Sequence, residues 1–286
     1  MNLNEYDFSK WQVATVVSND RITPPGDAEV RHLVLEVSGE QLDYTEGQSI
    51  AVMVSGPQDF GNPYHLRLYS IASPRNGEKG HLGAFSLCVR RCFYIDDVSG
   101  ERYPGVASNF LCDSEPGDPI HIAGPYGSRF SIPQDDHSNL LMIGVGTGIA
   151  PFRAFIQHIY QERGGWHGAV RLFYGARTGM DMLYMNHVNK DCSLYYSEKT
   201  FKAFEAVSQR PAVDAEADME RVFAGNQHEI WELLQDPRTH VYLAGLTDVA
   251  KKFESAMTRM AGSDAAWQAK RAELEAQNRY SELLYD

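Results

Sequence analysis

The hydrophobic pattern changes its period near residue 135, and that change constrains the fold more than any other feature of the chain. Before it, apolar residues alternate with polar ones on a period of two. WQVATVVSND, RHLVLEVSGE, GQSIAVMVSG, FSLCVRR and DPIHIAGPYG all read as strands, separated by turn clusters such as PPGD, SGE and EPGD. Several short strands at this spacing predict a β-sandwich or a barrel. After QDDHS (134–138), which reads as a linker, strands alternate with helices. NLLMIGVG is a continuous apolar run, as expected of a strand buried on both faces. PFRAFIQHIYQER then sets Phe152, Phe155, Ile156 and Ile159 on one helical face. AVRLFYGAR and HVYLAGL read as further strands, and TDVAKKFESAMTRM as a helix with Val249, Phe253, Met257 and Met260 along one stripe. This alternation predicts a parallel α/β sheet. The expected organisation is therefore a β domain over 1–135 and an α/β domain over 136–286. Residues 197–228, rich in charge and alanine, are the least readable part.

The chain is 286 residues long with 43 % hydrophobic residues, enough for two cores of ordinary size. A net charge of −12 argues against a nucleic-acid binder, which usually carries a basic stripe. The first residues, MNLNEYDFSKW, lack the basic and apolar regions of a secretory signal. No apolar run approaches the roughly 18 residues that span a membrane. Cys88, Cys92, Cys112 and Cys192 form no C-x-x-C pair, so they read as reduced thiols of a cytoplasmic protein. The ten histidines show no ligand spacing, and no metal is expected. Neither a G-x-S-x-G elbow nor an H-E-x-x-H helix is present.

IGVGTGIAPF (143–152) joins the buried strand to the first helix of the second half. Gly144, Gly146 and Gly148 remove side chains where the chain must turn. The helix that follows aims free N–H groups and its positive end at the same place, which suits a pyrophosphate. The same glycines also fit a plain tight strand-to-helix turn. Their spacing is not the G-x-G-x-x-G of the common dinucleotide fold.

RLYSIAS (67–73) and GVGTGIAPFRAF together resemble the plant-type ferredoxin–NADP(+) reductase family, most closely its plastid and cyanobacterial branch. YTEGQSIAV (44–52), FSLCVRRCFY (85–94), GVASNFLCD (105–113), GPYGSRF, VYLAGL (241–246) and the tail NRYSELLYD resemble further family motifs, in family order. The resemblance implies an N-terminal antiparallel β-barrel holding FAD and a C-terminal α/β parallel-sheet domain holding NADP(H). It implies hydride transfer between NADP(H) and flavin N5, with single electrons exchanged with a separate ferredoxin or flavodoxin. The protein is expected to act as a monomer. Arg67 is implied to pair with the FAD pyrophosphate, Tyr69 to pack on the isoalloxazine and Ser70 to sit near N5, with Leu68 and Cys88 in the same motifs. Tyr94 is implied to stack on the FAD adenine, and Gly105, Val106, Ala107 and Ser108 to offer backbone donors to its phosphates. Arg90 and Thr147, with Gly146 and Gly148, are implied to contact NADP, and Gly245 and Leu246 to line its site.

The sequence departs from the family at several places. Ala244 stands where the family has a cysteine beside the nicotinamide. The near-terminal glutamate falls on Leu283, with Glu282 one residue away. Tyr285 resembles the terminal tyrosine that covers the flavin, yet Asp286 follows it. The 2′-phosphate site is blurred: Ser208 and Arg210, then Arg221 as a cation and Phe223 as an adenine-stacking ring, are the candidate contacts the resemblance implies, and a preference for NADPH over NADH is expected on this weaker part of the match. A basic rim of Arg75, Lys79, Arg90 and Arg91 is expected to steer an acidic carrier. Two other readings fit the same residues: the reductase component of an oxygenase, and a flavin-binding redox sensor or assembly protein with poor turnover.

Overall fold

The computed structural model describes residues 7–37, 39, 42–56, 64–96, 98–127, 129–211 and 217–285. Asp286, Ser128 of GPYGSRF, and Ser38 and Glu40 of the SGE turn lie outside the described residues. The chain divides into two compact units, one ending at residue 128 and one beginning at Arg129.

In the first unit the period-two segments become strands: β1 (Gln12–Arg21), β2 (Val30–Val37), β3 (Ser49–Ser55), β4 (Tyr64–Ser70), β5 (Ala84–Arg90) and β8 (Pro119–Tyr126). They form one sheet in the order β4-β3-β8-β1-β2-β5, and every neighbouring pair is antiparallel. Just past β4, Ile71 bridges Leu87 of β5, and the Ala72 N–H donates to the Ser86 carbonyl at 2.8 Å. The first and last strands of the sheet thus meet, and the sheet closes as a barrel. Alternate residues fill the interior: Leu33, Leu35, Ile50, Val52, Phe85, Leu87, Ile120 and Ile122 are each at most 1 % exposed. A short helix, α1 (Val106–Asp113), adds Ala107 and Leu111 to that core. A two-stranded ribbon, β6 (Phe93–Ile95) and β7 (Arg102–Pro104), precedes it.

The second unit is a five-stranded parallel sheet in the order β11-β10-β9-β12-β13. Its strands are β9 (Asn139–Val145), β10 (Val170–Ala176), β11 (Phe201–Val207), β12 (Thr239–Leu246) and β13 (Tyr280–Tyr285). The helices are α2 (Ile149–Gln157), α3 (Met219–Gly225), α4 (Gln227–Gln235), α5 (Thr247–Ala261) and α6 (Asp264–Ala276). The three strands expected from apolar runs, β9, β10 and β12, are the central three. The structure adds β11 and β13 at the edges, whose half-polar sequences carry a weaker signal. Among the described residues, no helix is long and apolar enough to cross a membrane.

The units part after residue 128 rather than at 135. The Phe130 ring lies 5.1 Å from Tyr242, 5.6 Å from Phe155 and 5.8 Å from Phe152. The Tyr242 hydroxyl donates to the Ser131 carbonyl at 2.7 Å. Residues 129–135 are thus tied by apolar packing to the α/β unit, although their polar neighbours at 134–138 read as a linker.

Candidate functional site

In the barrel, β4 pairs with β3 so that Arg67 faces Val52 and Tyr69 faces Ile50. Strand alternation puts Arg67 and Tyr69 on one side and Leu68 and Ser70 on the other. Arg67 is exposed, and among the described residues the one bond of its guanidinium is to the neighbouring Leu66 carbonyl. Tyr69 is half-buried against the barrel core, and that burial pushes its phenol well above the ordinary range. Cys88, by contrast, is buried opposite His32 on β5, out of register with the core residues Leu87 and Val89.

The turn after β4 is braced from the YTEGQ segment. Glu46, 1 % exposed, accepts from the Arg75 backbone N–H at 2.8 Å and from its guanidinium at 2.6 and 3.1 Å. The Tyr44 hydroxyl lies 2.8 Å from Ser73 Oγ and donates to the Pro74 carbonyl. Tyr44 and Glu46 lie in YTEGQSIAV, and their role depends on contacts 29 and 30 residues away.

Tyr94 lies on the β6–β7 ribbon, half-exposed, stacked on Tyr103 with ring centroids 5.4 Å apart. Its neighbour Phe93 carries the Arg102 guanidinium 3.7 Å from its ring centre. Gly105 precedes α1, which has no side-chain cap, so the amides of its first turn remain as donors. A Cβ on Gly105 would lie 3.0 Å from Ser108 Oγ and 3.3 Å from the Cys92 carbonyl, so the backbone here is open because the residue is glycine. The Ser108 hydroxyl is itself occupied. It accepts from the Cys92 N–H at 3.1 Å and donates to the Gly105 carbonyl at 3.2 Å.

The expected basic rim is reduced by the structure. Arg75 is paired with buried Glu46. Arg91 bonds Asp113 at 2.6 Å, Glu29 at 2.7 Å and Asn109 at 3.0 Å. The Asp113 and Glu29 carboxylates hold its guanidinium above the ordinary value, and both carboxyls lie below theirs. Lys79 and Arg90 are exposed and, among the described residues, form no ion pair.

In the α/β unit, the glycine loop lies where the sheet order changes direction. Strand β9 has β10 on one side and β12 on the other, and ligands of open α/β sheets bind at such a point. Gly146 has a φ of +54°, a conformation that L side chains rarely adopt. The buried Tyr174 donates its hydroxyl to the Gly146 carbonyl at 2.8 Å and holds the loop. A Cβ on Gly148 would lie 2.2 Å from the Ala244 carbonyl oxygen. One on Gly245, φ +132°, would lie 2.9 Å from the Val145 carbonyl oxygen. Two glycine turns therefore interlock at the carboxyl ends of β9 and β12. Thr147 Oγ1 lies 2.6 Å from the Tyr285 hydroxyl, at the end of β13, where Tyr285 pairs with Leu246; both of these residues are exposed.

Three expected contacts are not brought to this place. Ala244 is 1 % exposed, buried beneath the loop it supports, so its side chain is not open to a ligand. Glu282 alternates to the face opposite Tyr285, where it accepts from the Tyr280 hydroxyl at 2.7 Å and faces Arg271 at 3.4 Å. Leu283 is the residue on the Tyr285 side. Phe223 is fully buried, 5.8 Å from Phe173 and 5.7 Å from Phe253, because Met219, Val222 and Phe223 form the inward stripe of α3. It is a core residue, not a platform for adenine. Arg221 is exposed but turned back to Asp218 at 2.9 Å. Ser208 is buried, and its hydroxyl accepts from the Arg210 N–H at 2.9 Å.

A barrel with an exposed arginine and an aromatic ribbon, and a parallel sheet with a glycine loop at its switch point, have the form of a two-unit nucleotide-binding protein. A family model described as an oxidoreductase NAD-binding domain matches residues 142–255. Ferredoxin–NADP reductase of Spirulina sp. is 34 % identical, over 99 % of this chain and 98 % of that protein. The Thermosynechococcus vestitus enzyme of the same name is 35 % identical, over 90 % and 68 %. The chloroplastic leaf isozyme 1 of Oryza sativa subsp. indica is 37 % identical, over 91 % and 73 %. The solved structure of the Plasmodium falciparum ferredoxin–NADP+ reductase shares the fold, with a TM-score of 0.74 over 98 % of both chains at 18 % identity. The chain belongs to the ferredoxin–NADP reductase family, whose members are FAD flavoproteins that use NADP(H).

Proposed function

We propose that the protein exchanges electrons between NADP(H) and a separate ferredoxin, with a flavodoxin as the other carrier of the same kind. The observation that carries this reading is the exposed Arg67 guanidinium beside half-buried Tyr69 on β4, in the segment that matches the family motif outright. FAD held by Arg67, Tyr69 and the α1 amides would supply the chemistry that links two-electron hydride exchange with the nicotinamide to single-electron exchange with the carrier. The protein's part is to hold and orient. Arg67 presents a planar fork to the FAD pyrophosphate, and the uncapped amides of Val106, Ala107 and Ser108 add backbone donors. Tyr69 gives an immobile ring face and Ser70 a hydroxyl on the same strand. Tyr94 offers a face to adenine.

In the other unit, Gly146, Thr147 and Gly148 let backbone N–H groups approach the NADP(H) pyrophosphate, and Gly245 and Leu246 border the same place. Thr147 Oγ1 lies 2.6 Å from the Tyr285 hydroxyl, and when it accepts from that hydroxyl its own O–H is left to donate to the nucleotide. Arg90 supplies a cation for an NADP phosphate. Ser208, Arg210 and Arg221 are the groups offered to the 2′-phosphate, with the Arg221 guanidinium now donating to Asp218 at 2.9 Å. Lys79 and Arg90 are the cations left to steer an acidic carrier. We further infer a monomer in the cytoplasm, in keeping with four free thiols.

An anaerobic titration tests the whole reading. NADPH is expected to bleach the flavin's visible absorbance at lower concentration than NADH. Flavin that neither nucleotide bleaches would support the sensor or assembly reading instead. Arg67→Ala is expected to weaken FAD retention by about a hundredfold, since a charge-assisted pair contributes about 3 kcal/mol. Equilibrium dialysis of the two apoproteins measures this, and unchanged retention would remove Arg67 from the phosphate site.

A further inference from the structure

We propose that Asp136, His137 and His167 form a divalent metal site of the zinc class, at the end of the parallel sheet remote from the glycine loop. Two imidazoles and a carboxylate are the donor types zinc takes in open three-ligand sites. The Asp136 carboxylate lies beside both rings, with Oδ2 3.1 Å from His167 Nδ1 and Oδ1 3.8 Å from His137 Nε2. One ligand atom from each residue falls within 4.8 Å of the others. Around a tetrahedral zinc with bonds of about 2.0–2.2 Å, neighbouring ligand atoms stand about 3.3–3.6 Å apart. The two carboxylate–imidazole separations, each to a different oxygen, bracket that spacing, so rotation of the exposed side chains brings one atom of each residue to one ion.

The backbone beneath the three residues is already fixed. The N–H groups of His167 and Gly168 both donate to the Asp136 carbonyl, at 3.0 and 2.9 Å. Trp166 Nε1 donates to the Ser138 carbonyl at 2.7 Å. A Cβ on Gly168 would lie 1.9 Å from that same carbonyl oxygen, so the two loops meet this closely because residue 168 is glycine. The rings of His137 and His167 stack with centroids 4.8 Å apart and planes 19° apart, although each side chain is more than 60 % exposed. The backbone base is thus held, and the two exposed imidazoles turn out of their stack to aim one nitrogen each at a shared ion beside the carboxylate.

The site follows from the fold, not from sequence spacing, since His137 and His167 are brought together by β9 and β10 starting side by side. Strand β9 runs from Asn139 to Val145, about 20 Å at about 3.3 Å per residue, before the glycine loop begins. An ion here would clip the loop before β9 to the loop before β10 without touching the nucleotide chemistry.

The test is thermal unfolding of the FAD-loaded protein with and without zinc chloride, beside the His137→Ala/His167→Ala double variant. With free zinc about a hundredfold above Kd, the wild-type midpoint is expected to rise by about 5–10 °C, and the double variant's by less than about 1 °C. Cobalt(II) is the second probe. Its visible ligand-field absorbance should appear with one equivalent of wild-type protein and be absent from the double variant. An equal midpoint rise or equal cobalt spectrum in both proteins, which would put the ion elsewhere, overturns the proposal. So does the absence of both effects in the wild type.

Discussion

Glu46→Ala is expected to destabilise the barrel by about 3 kcal/mol and to lower flavin retention with it. The carboxylate is 1 % exposed and satisfies both the backbone N–H and the guanidinium of Arg75. Removal leaves that N–H without its acceptor and a cavity where the carboxylate was. Arg75 is 40 % exposed at its side chain and can turn to water, which holds the loss at the lower end of the range for broken buried pairs. Glu46→Gln keeps an acceptor for the N–H and should cost about half as much. The braced turn begins at the residue after Ser70, so its loosening reaches Tyr69 and Ser70 directly. Urea unfolding followed by circular dichroism, with flavin release as the second signal, measures both effects. An alanine variant within about 0.5 kcal/mol of the parent would show that the brace contributes nothing.

Gly148→Ala should be the most damaging small substitution in the α/β unit, at about 3 kcal/mol or more. Its methyl would meet the Ala244 oxygen at 2.2 Å, the Ala244 carbonyl carbon at 2.5 Å and the Gly245 nitrogen at 2.7 Å. All three atoms are backbone of β12, so no side-chain rotation relieves the clash. Gly146→Ala is the control. Nothing lies within 4 Å of a Cβ there, and the cost is the positive φ alone, about 1 kcal/mol. The comparison separates a steric requirement for glycine from a conformational one. Equal stability losses would mean that loop and strand slide apart at little cost, and that the interlock of Gly148 and Gly245 does not hold the nucleotide turn.

How much was legible in the sequence depends on the range of the physics. The inward residues of β2, β3 and β5 could be read from the period of two, and the apolar face of α2 from its 3.6 period, although the fold buries every residue of that helix. Phe223 was open to the same logic, since Met219, Val222 and Phe223 stand at i, i+3 and i+4 and mark a core face. Reading it through the family's adenine-binding ring hid that local signal. Strand β13 was missed because Glu282 and Ser281 interrupt its apolar run, and its pairing with β12 supplies the order that propensity does not. The rim lost two of its four cations to partners that no spacing announces, since Glu29 lies 62 residues from Arg91 and Glu46 lies 29 from Arg75.

The sequence by itself determined the periodicities, and through them two units of different class, with glycines where the chain must turn sharply. These are local matters, governed by φ, by side-chain alternation and by which face is apolar. Tertiary structure alone decided which charged groups are committed, which ring is buried, and that Tyr285 reaches Thr147 across 138 residues of chain. Those outcomes depend on distances between segments remote in sequence, which are fixed only when strands order themselves and helices bury their apolar faces.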